Sequence, residues 1–277
     1  MAAVAAAGVL AVAWGLFEAG WVRLAEREVE VPGLPPELDG LRIAHLSDFH
    51  LGMPSRGERA SARGVAWAAA QRPDLVCITG DLLSRPRGER LLLELLAQLP
   101  HPYAVLGNHD FAHSRDPFSK PAQLVSLEHG RLLLDERVEL AVRGKRIELA
   151  GVDPRSWRAE QPSEFGSSDA DLRILLCHFP RSLDTVEPDR FDLILAGHMH
   201  DGQIVIPFGF GRLLLAHPRA RYTSGLYRRG DTVMHVSPGL GTTFVPLRLF
   251  ARPEATILTV ISPRASSLST SSRTQGR

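Results

Sequence analysis

Hydrophobic positions fall into two periods along this chain, and the switches between them mark its elements. Five short apolar runs have strand length: Leu41-Arg42-Ile43-Ala44-His45-Leu46, then residues 75–79, 103–106, 172–177 and 193–196. Each is followed at once by Ser, Gly or His. Between the first three lie an Ala-rich stretch near residues 60–71 and a Leu-rich one from about 88 to 99, both with helical spacing. Strand, helix, strand, helix, strand predicts parallel strands joined by right-handed crossovers. Residues 121–128 are also predicted helical. Residues 138–142 and 146–150 alternate apolar and polar around Arg143-Gly144-Lys145, which predicts a hairpin. A polar loop is expected over 156–171, an irregular Gly- and Arg-rich segment after Gln203, and strands over 232–236 and 255–261.

The ends of the chain have a different character. Residues 2–22 are apolar except for Glu18, and about twenty such residues suffice to cross a bilayer core of roughly 30 Å. Trp14, Phe17 and Trp21 suit an interfacial belt. Residues 1–23 are therefore expected to be a single membrane-spanning anchor. A signal peptide is disfavoured because no basic residue precedes the run, and a docked amphipathic helix because polar residues do not recur with a helical period. Arg23 and Arg27 follow the segment, which favours a cell-membrane protein with its catalytic domain on the cytoplasmic face. Residues 24–40, rich in Pro and acidic residues from Glu28 on, read as an extended linker, 41–262 as one catalytic domain, and 263–277 as a disordered Ser/Thr-rich tail.

A length of 277 residues accommodates one large domain with an appendage. The net charge of +1 argues against a nucleic-acid partner, since polyanion binders carry a basic excess. Only Lys120 and Lys145 are lysines, so the positive charge is arginine. Cys77 and Cys177 sit inside apolar runs and read as buried core residues rather than a disulfide.

Candidate chemistry collects where the five apolar runs end: Asp48 and His50, Asp81, Asn108 with His109 and Asp110, His178, and His198 with His200. The carboxyl ends of strands are where α/β sheets build ligand sites. A His-x-His alone is a weak signal, and four further strand ends with complementary groups change its weight. Carboxylate, amide and imidazole together suit a hard or borderline divalent cation. Seven ligands exceed what one ion with an open position needs. Two ions sharing a bridging carboxylate use them better.

These blocks, Asp-x-His, Gly-Asp, Gly-Asn-His-Asp, a lone His and Gly-His-x-His in that order within residues 41–261, resemble the signature of the calcineurin-like metallophosphoesterase superfamily. His200-Asp201-Gly202-Gln203-Ile204, Tyr222-Thr223-Ser224-Gly225-Leu226-Tyr227, Ser237-Pro238-Gly239-Leu240-Gly241 and Pro253-Glu254 resemble its YkuE/YaeI-type bacterial phosphodiesterase branch. The resemblance implies an α/β fold, a four-layer αββα sandwich of the metallo-dependent phosphatase type, here preceded by a hydrophobic helix. It implies that Asp48, His50 and His200 hold one metal, that Asn108, His178 and His198 hold a second, and that Asp81 bridges them. It further implies His109 beside the substrate as acid or charge stabiliser, with Asp110 orienting it. The expected cofactors are two divalent ions, manganese, iron or zinc. The expected reaction is hydrolysis of a phosphodiester or pyrophosphate by metal-activated hydroxide, on a small or lipid-linked phosphate ester near the membrane. A phosphomonoesterase or nuclease on the same fold, and a non-catalytic metal-binding scaffold, are the competing readings.

Several residues carry weaker expectations. Asp110 competes with a loop-capping role. Asp201 stands where the branch usually has Gly, and a carboxylate there would repel an anion or recruit a cation. Gly241 is expected to allow close backbone approach or positive φ. His45, His101, His113, His129, His217 and His235 are expected to be structural. Arg212, Arg219, Arg221, Arg228 and Arg229 form either a solvated face or contacts to phosphate or lipid headgroups.

Overall fold

The computed structural model describes residues 1–111, 116–120, 124–159, 169–209, 211–216 and 218–263. Helix α1 (Ala2–Glu18) leads into strand β1 (Arg23–Glu30). There follow β2 (Leu41–Leu46), α2 (Gly57–Ala70), β3 (Leu75–Thr79), α3 (Glu89–Leu96), β4 (Tyr103–Val105) and β5 (Arg131–Leu132). The second half holds β6 (Glu136–Val142), β7 (Lys145–Gly151), α4 (Pro154–Ala159), β8 (Leu172–Leu176), α5 (Ser182–Thr185) and β9 (Leu193–Ala196). The chain closes with β10 (Val205–Phe208), β11 (Gly211–Leu214), β12 (Gly225–Arg229), β13 (Thr232–Val236) and β14 (Glu254–Ile261).

Two mixed six-stranded sheets result, in the orders β1-β14-β2-β3-β4-β5 and β12-β13-β9-β8-β7-β6. Strands β2, β3 and β4 are parallel, as the alternation with helices requires, and β6 and β7 form the expected antiparallel hairpin. The strands with continuous apolar runs are buried on both sides, the usual fate of a parallel strand inside a layered protein. Ile43, Cys77 and Leu258 of the first sheet meet Leu149, Ile174 and Leu195 of the second in the central core. On the outer face of the first sheet, Val65 and Ala68 of α2 and Leu92 and Leu96 of α3 pack over Ala44, Val76 and Ile78. On the outer face of the second, Trp157 of α4 and Leu183 of α5 pack with Leu175 and Ile194. The layers therefore run helices, sheet, sheet, helices.

The stretch expected to be a linker behaves otherwise. Residues 23–30 form β1, paired in parallel with β14 over eight positions from Arg23↔Glu254 to Glu30↔Ile261. The reason lies in two of its arginines: Arg23 and Arg27 both reach the fully buried Glu254 carboxylate, Arg27 at 3.0 Å, which tethers an edge strand that has few apolar residues. Helix α1 ends at Glu18, short of the expected span, and among the described residues no helix is long and apolar enough to cross a membrane. Its last turn is held by the protein. Glu18 is buried and accepts from the Phe250 and Ala251 amides and from Trp14 Nε1, while the Gly15 carbonyl accepts from the Arg248 amide. Every residue from Met1 to Trp14 is exposed.

Of the helix expected over 121–128, residues 124–128 are not helical. Residues 121–123, the middle of the expected polar loop at 160–168, the tail from 264, His113 and His217 lie outside the described residues. The segment expected to be irregular contains the β10–β11 hairpin and β12.

Candidate metal centre

Each predicted ligand lies just beyond the carboxyl end of a central strand. β2 leads to Asp48 and His50, β3 to Asp81, β4 to Asn108 and His109, β8 to His178, and β9 to His198 and His200. Both sheets thus deliver side chains to one end of the sandwich. The local backbone is bent to do so: Asp48, His50, Asp81, His198 and His200 all have φ between 47 and 74°. Non-glycine residues in this region cost about 1 kcal/mol or more each, so strain is concentrated where the ligands converge. Gly107 shows why glycine precedes one of them, since a Cβ there would lie 2.1 Å from Asp81 Oδ1. Gly241 resolves to close approach, a Cβ there falling 2.4 Å from the Phe49 carbonyl oxygen.

The donor atoms form overlapping groups: Asp48, His50 and His200; His50, Asp81 and His109; Asp81, His178 and His198, each within 4.8 Å. His200 Nε2 is 3.4 Å from Asp48 Oδ1 and 3.1 Å from His50 Nε2. Asp81 Oδ2 is 3.4 Å from His50 Nε2 and 3.3 Å from His178 Nε2, and His178 Nε2 is 3.1 Å from His198 Nδ1. Two ligands of one ion, each roughly 2.0 to 2.2 Å from it, are themselves about 3.0 to 3.4 Å apart at ordinary coordination angles. The observed separations fit that requirement. Asn108 Oδ1 is buried without a hydrogen-bond partner, a condition that a cation would relieve.

Surrounding groups orient the rings. His178 Nδ1 lies 2.7 Å from the Thr79 carbonyl, which can only accept, so Nδ1 carries a hydrogen and Nε2 is the atom left facing Asp81, where a cation would take the place of its proton. His50 Nδ1 is 2.8 Å from Ser84 Oγ, and Ser47 Oγ donates to Asp48 Oδ2 at 2.6 Å. Burial pushes Asp48 up to about 6 and Asp81's negative charge adds to the rise, against the opposing pull of His178. For Asp81 burial pushes the same way, but His178, His109 and His50 outweigh it and hold the carboxyl well below its ordinary range. His178 is lowered by burial and raised more by Asp81 and its neighbours, reaching about 9. His50 and His200 are held well below the ordinary imidazole value, chiefly by burial.

Not every expected role matches the geometry. Asp110 accepts from the Leu83 amide through Oδ1 and from the Gly107 amide through Oδ2, at 2.9 and 2.8 Å. Its carboxylate therefore caps the loop that carries Asn108 and His109 instead of orienting the His109 ring. The His109 amide donates to Asp81 Oδ1, and its Nδ1 lies 3.3 Å from Ser119 Oγ. Asp201 does not project a free charge at the centre: Arg212 donates to both its oxygens at 2.9 and 2.7 Å, and Ser224 Oγ donates to Oδ1. Arg212 is thus a partner of Asp201 rather than part of a solvated face. Cys77 and Cys177 are free and buried, as expected.

Two features had no signal in the sequence. Arg248 is fully buried against His200. His45 and His235, expected to be structural, meet across the two sheets with Nδ1 atoms 2.7 Å apart, and His45 Nε2 reaches Thr79 Oγ1 at 3.0 Å.

The profile of calcineurin-like phosphoesterases matches residues 41–202. The chain is 29% identical over 252 residues to the uncharacterised metallophosphoesterase YkuE of Bacillus subtilis (87% of this chain, 86% of that one). It is 26% identical over 253 residues to the phosphodiesterase YaeI of Escherichia coli (88% and 90%). It is 35% identical over 256 residues to a bovine transmembrane protein with a metallophosphoesterase domain, covering 83% of this chain and 55% of that protein.

Proposed function

The chain belongs to the calcineurin-like phosphoesterase family, hydrolases of phosphoric ester bonds, and from that premise we propose that it cleaves a phosphodiester or pyrophosphate using two divalent cations, on a small or lipid-linked substrate at a membrane. The observation that carries the reading is the position of Asp81 Oδ2, 3.4 Å from His50 Nε2 and 3.3 Å from His178 Nε2, at the junction of two donor groups. Asp48, His50 and His200 would hold one ion, and Asn108, His178 and His198 the other, with Asp81 shared. Manganese, iron and zinc all suit this donor set.

When bound, such a pair supplies Lewis acidity and a nucleophile drawn from water at neutral pH. The chain's own residues do the rest. Thr79 and Ser84 fix the rings of His178 and His50, so the donors need little rearrangement. Ser119 Oγ donates to the Ser84 carbonyl and so accepts from His109 Nδ1, leaving Nε2 as the atom that hands a proton to a departing oxygen. Asp110 keeps the loop bearing His109 in register through its two amide contacts.

Membrane association rests on α1, apolar on every side and exposed from Met1 to Trp14, and agrees with the name of the bovine relative. A helix apolar all round is stable where its whole circumference is covered, as lipid covers it.

The test is hydrolysis of bis(p-nitrophenyl) phosphate by the full chain with Mn²⁺. Activity is expected, with loss on chelation and in Asp81→Asn. Hydrolysis indifferent to both would overturn the proposal.

A further inference from the structure

A cavity of about 370 Å³ opens directly beside His200, and its walls are mainly apolar. Ile204, Ala216, Phe244 and Val245 line it. Its shape is built in. Gln203 grips the Thr243–Val245 wall at both ends, Oε1 accepting from the Thr243 amide and Nε2 donating to the Thr243 and Val245 carbonyls, and Asp116 accepts from the Phe244 amide. An apolar cavity is a poor place for a phosphate or a sugar and a good one for a hydrocarbon chain.

Two further observations say which hydrocarbon. The cavity wall continues in sequence to residues 247–251, the segment on which α1 is seated through Gly15 and Glu18. Phe244, Val245 and Phe250, exposed at 50, 38 and 56%, lie along that path, so its rim is apolar from the cavity to the helix. A protein partner would cover one stripe of α1, whereas its exposed residues run all the way round, so lipid is the surrounding that suits this rim. Across Ala216, a second basin of about 620 Å³ begins beside Met199 and is lined by Arg181, Arg219 and Arg221. Arg221 is paired with Asp184, which also lines the basin, and the guanidinium groups of Arg181 and Arg219 suit an anionic headgroup.

Resting on the phosphodiesterase reading above, we infer that the cavity beside His200 is the chain-binding subsite for an amphiphilic phosphodiester or pyrophosphate, with the arginine basin taking its anionic head. The scissile phosphorus lies between them, at the histidine and aspartate cluster. Ala216 divides the apolar from the charged half.

The experiment is a series of p-nitrophenyl alkyl phosphates, methyl, butyl and octyl, assayed with the full chain and Mn²⁺ below their micelle concentrations. kcat/KM is expected to climb by up to about fourfold per added methylene until the cavity is filled. In Val245→Asp, and in Ala216→Trp, the climb is expected to flatten. A flat series in the unaltered chain, or a climb that survives both substitutions, would overturn the subsite while leaving the phosphodiesterase reading intact. If no ester is cleaved, that reading falls, and calorimetry with the matching alkyl phosphates decides the cavity separately. Octyl phosphate binding more tightly than methyl phosphate upholds it, and equal affinity overturns it.

Discussion

Arg248 Nη2 lies 3.1 Å from Nδ1 of His200, with the guanidinium completely buried. The same group donates to the carbonyls of Pro238, Gly241 and Ala251 at 2.7 to 3.0 Å. Burial lowers its pKa to about 10, still far above neutrality, so it is a cation there. One side chain thus fastens the segment after β13 to a ring of the candidate metal centre. Arg248→Met leaves those carbonyls buried without donors and is expected to lower the unfolding free energy by about 3 kcal/mol or more. Arg248→Lys restores charge but not the planar fork and is expected to recover only part. Urea denaturation measures both, and an unchanged midpoint in Arg248→Met contradicts this account.

Cation binding is expected to stabilise the fold. A ligand at a hundred times its dissociation constant adds about 2.7 kcal/mol. Scanning calorimetry with and without Mn²⁺ should show Tm rising on addition and returning on chelation, with most of the rise gone in Asp81→Asn. A shift that ignores Asp81 would place the cation elsewhere.

His45 is buried against His235, and burial lowers its pKa from the ordinary 6.5 to about 3. Between those values the unfolded chain binds a proton that the folded chain does not, so stability falls as pH drops from about 6.5 toward about 3. At pH 5 this group alone accounts for about 2 kcal/mol. His45→Gln should therefore lose about that much less than the unaltered chain on going from pH 7 to pH 5 in urea titrations. Equal losses would contradict it.

Asp201 is paired with Arg212 of the β10–β11 hairpin. Asp201→Ala is expected to cost about 1 kcal/mol, since it removes the carboxylate that a half-exposed guanidinium and the Ser224 hydroxyl donate to. Faster hydrogen exchange should be confined to the hairpin and its neighbours. Uniform acceleration across both sheets would point to a global effect instead.

Helix α1 is expected to carry the chain onto phospholipid vesicles. A carboxylate on the apolar surface of α1 opposes its transfer into lipid, so Val9→Asp should reduce partitioning by about tenfold or more in a sedimentation assay. Retained binding would assign the membrane contact to another surface.

How far the sequence revealed all this follows from what each residue depends on. Strands β2, β3, β8 and β9 were legible because they are largely buried and so mainly apolar, and the ligands because fixed blocks such as Gly80-Asp81 after β3 and Gly107-Asn108-His109-Asp110 after β4 follow the strands directly. β1 was not, because Arg23-Leu24-Ala25-Glu26-Arg27 has no pattern of its own and makes sense only beside Glu254, which lies 227 residues beyond Arg27. Arg248 gave no signal for the same reason, as an arginine among Leu247, Leu249 and Phe250 reads as surface until its carbonyl partners are seen. Asp110 could be weighed either way from its letters, and only the positions of the Leu83 and Gly107 amides decide it.

The eight-position pairing of β1 with β14 has a mechanical meaning. A flexible leash after α1 would let the rest of the chain swing relative to the helix. Here the residues immediately after α1 are stitched into the sheet, so tension applied through the helix loads all the rungs of that ladder at once, in shear. The domain is mounted on α1 like a tool in a fixed bracket, at one angle.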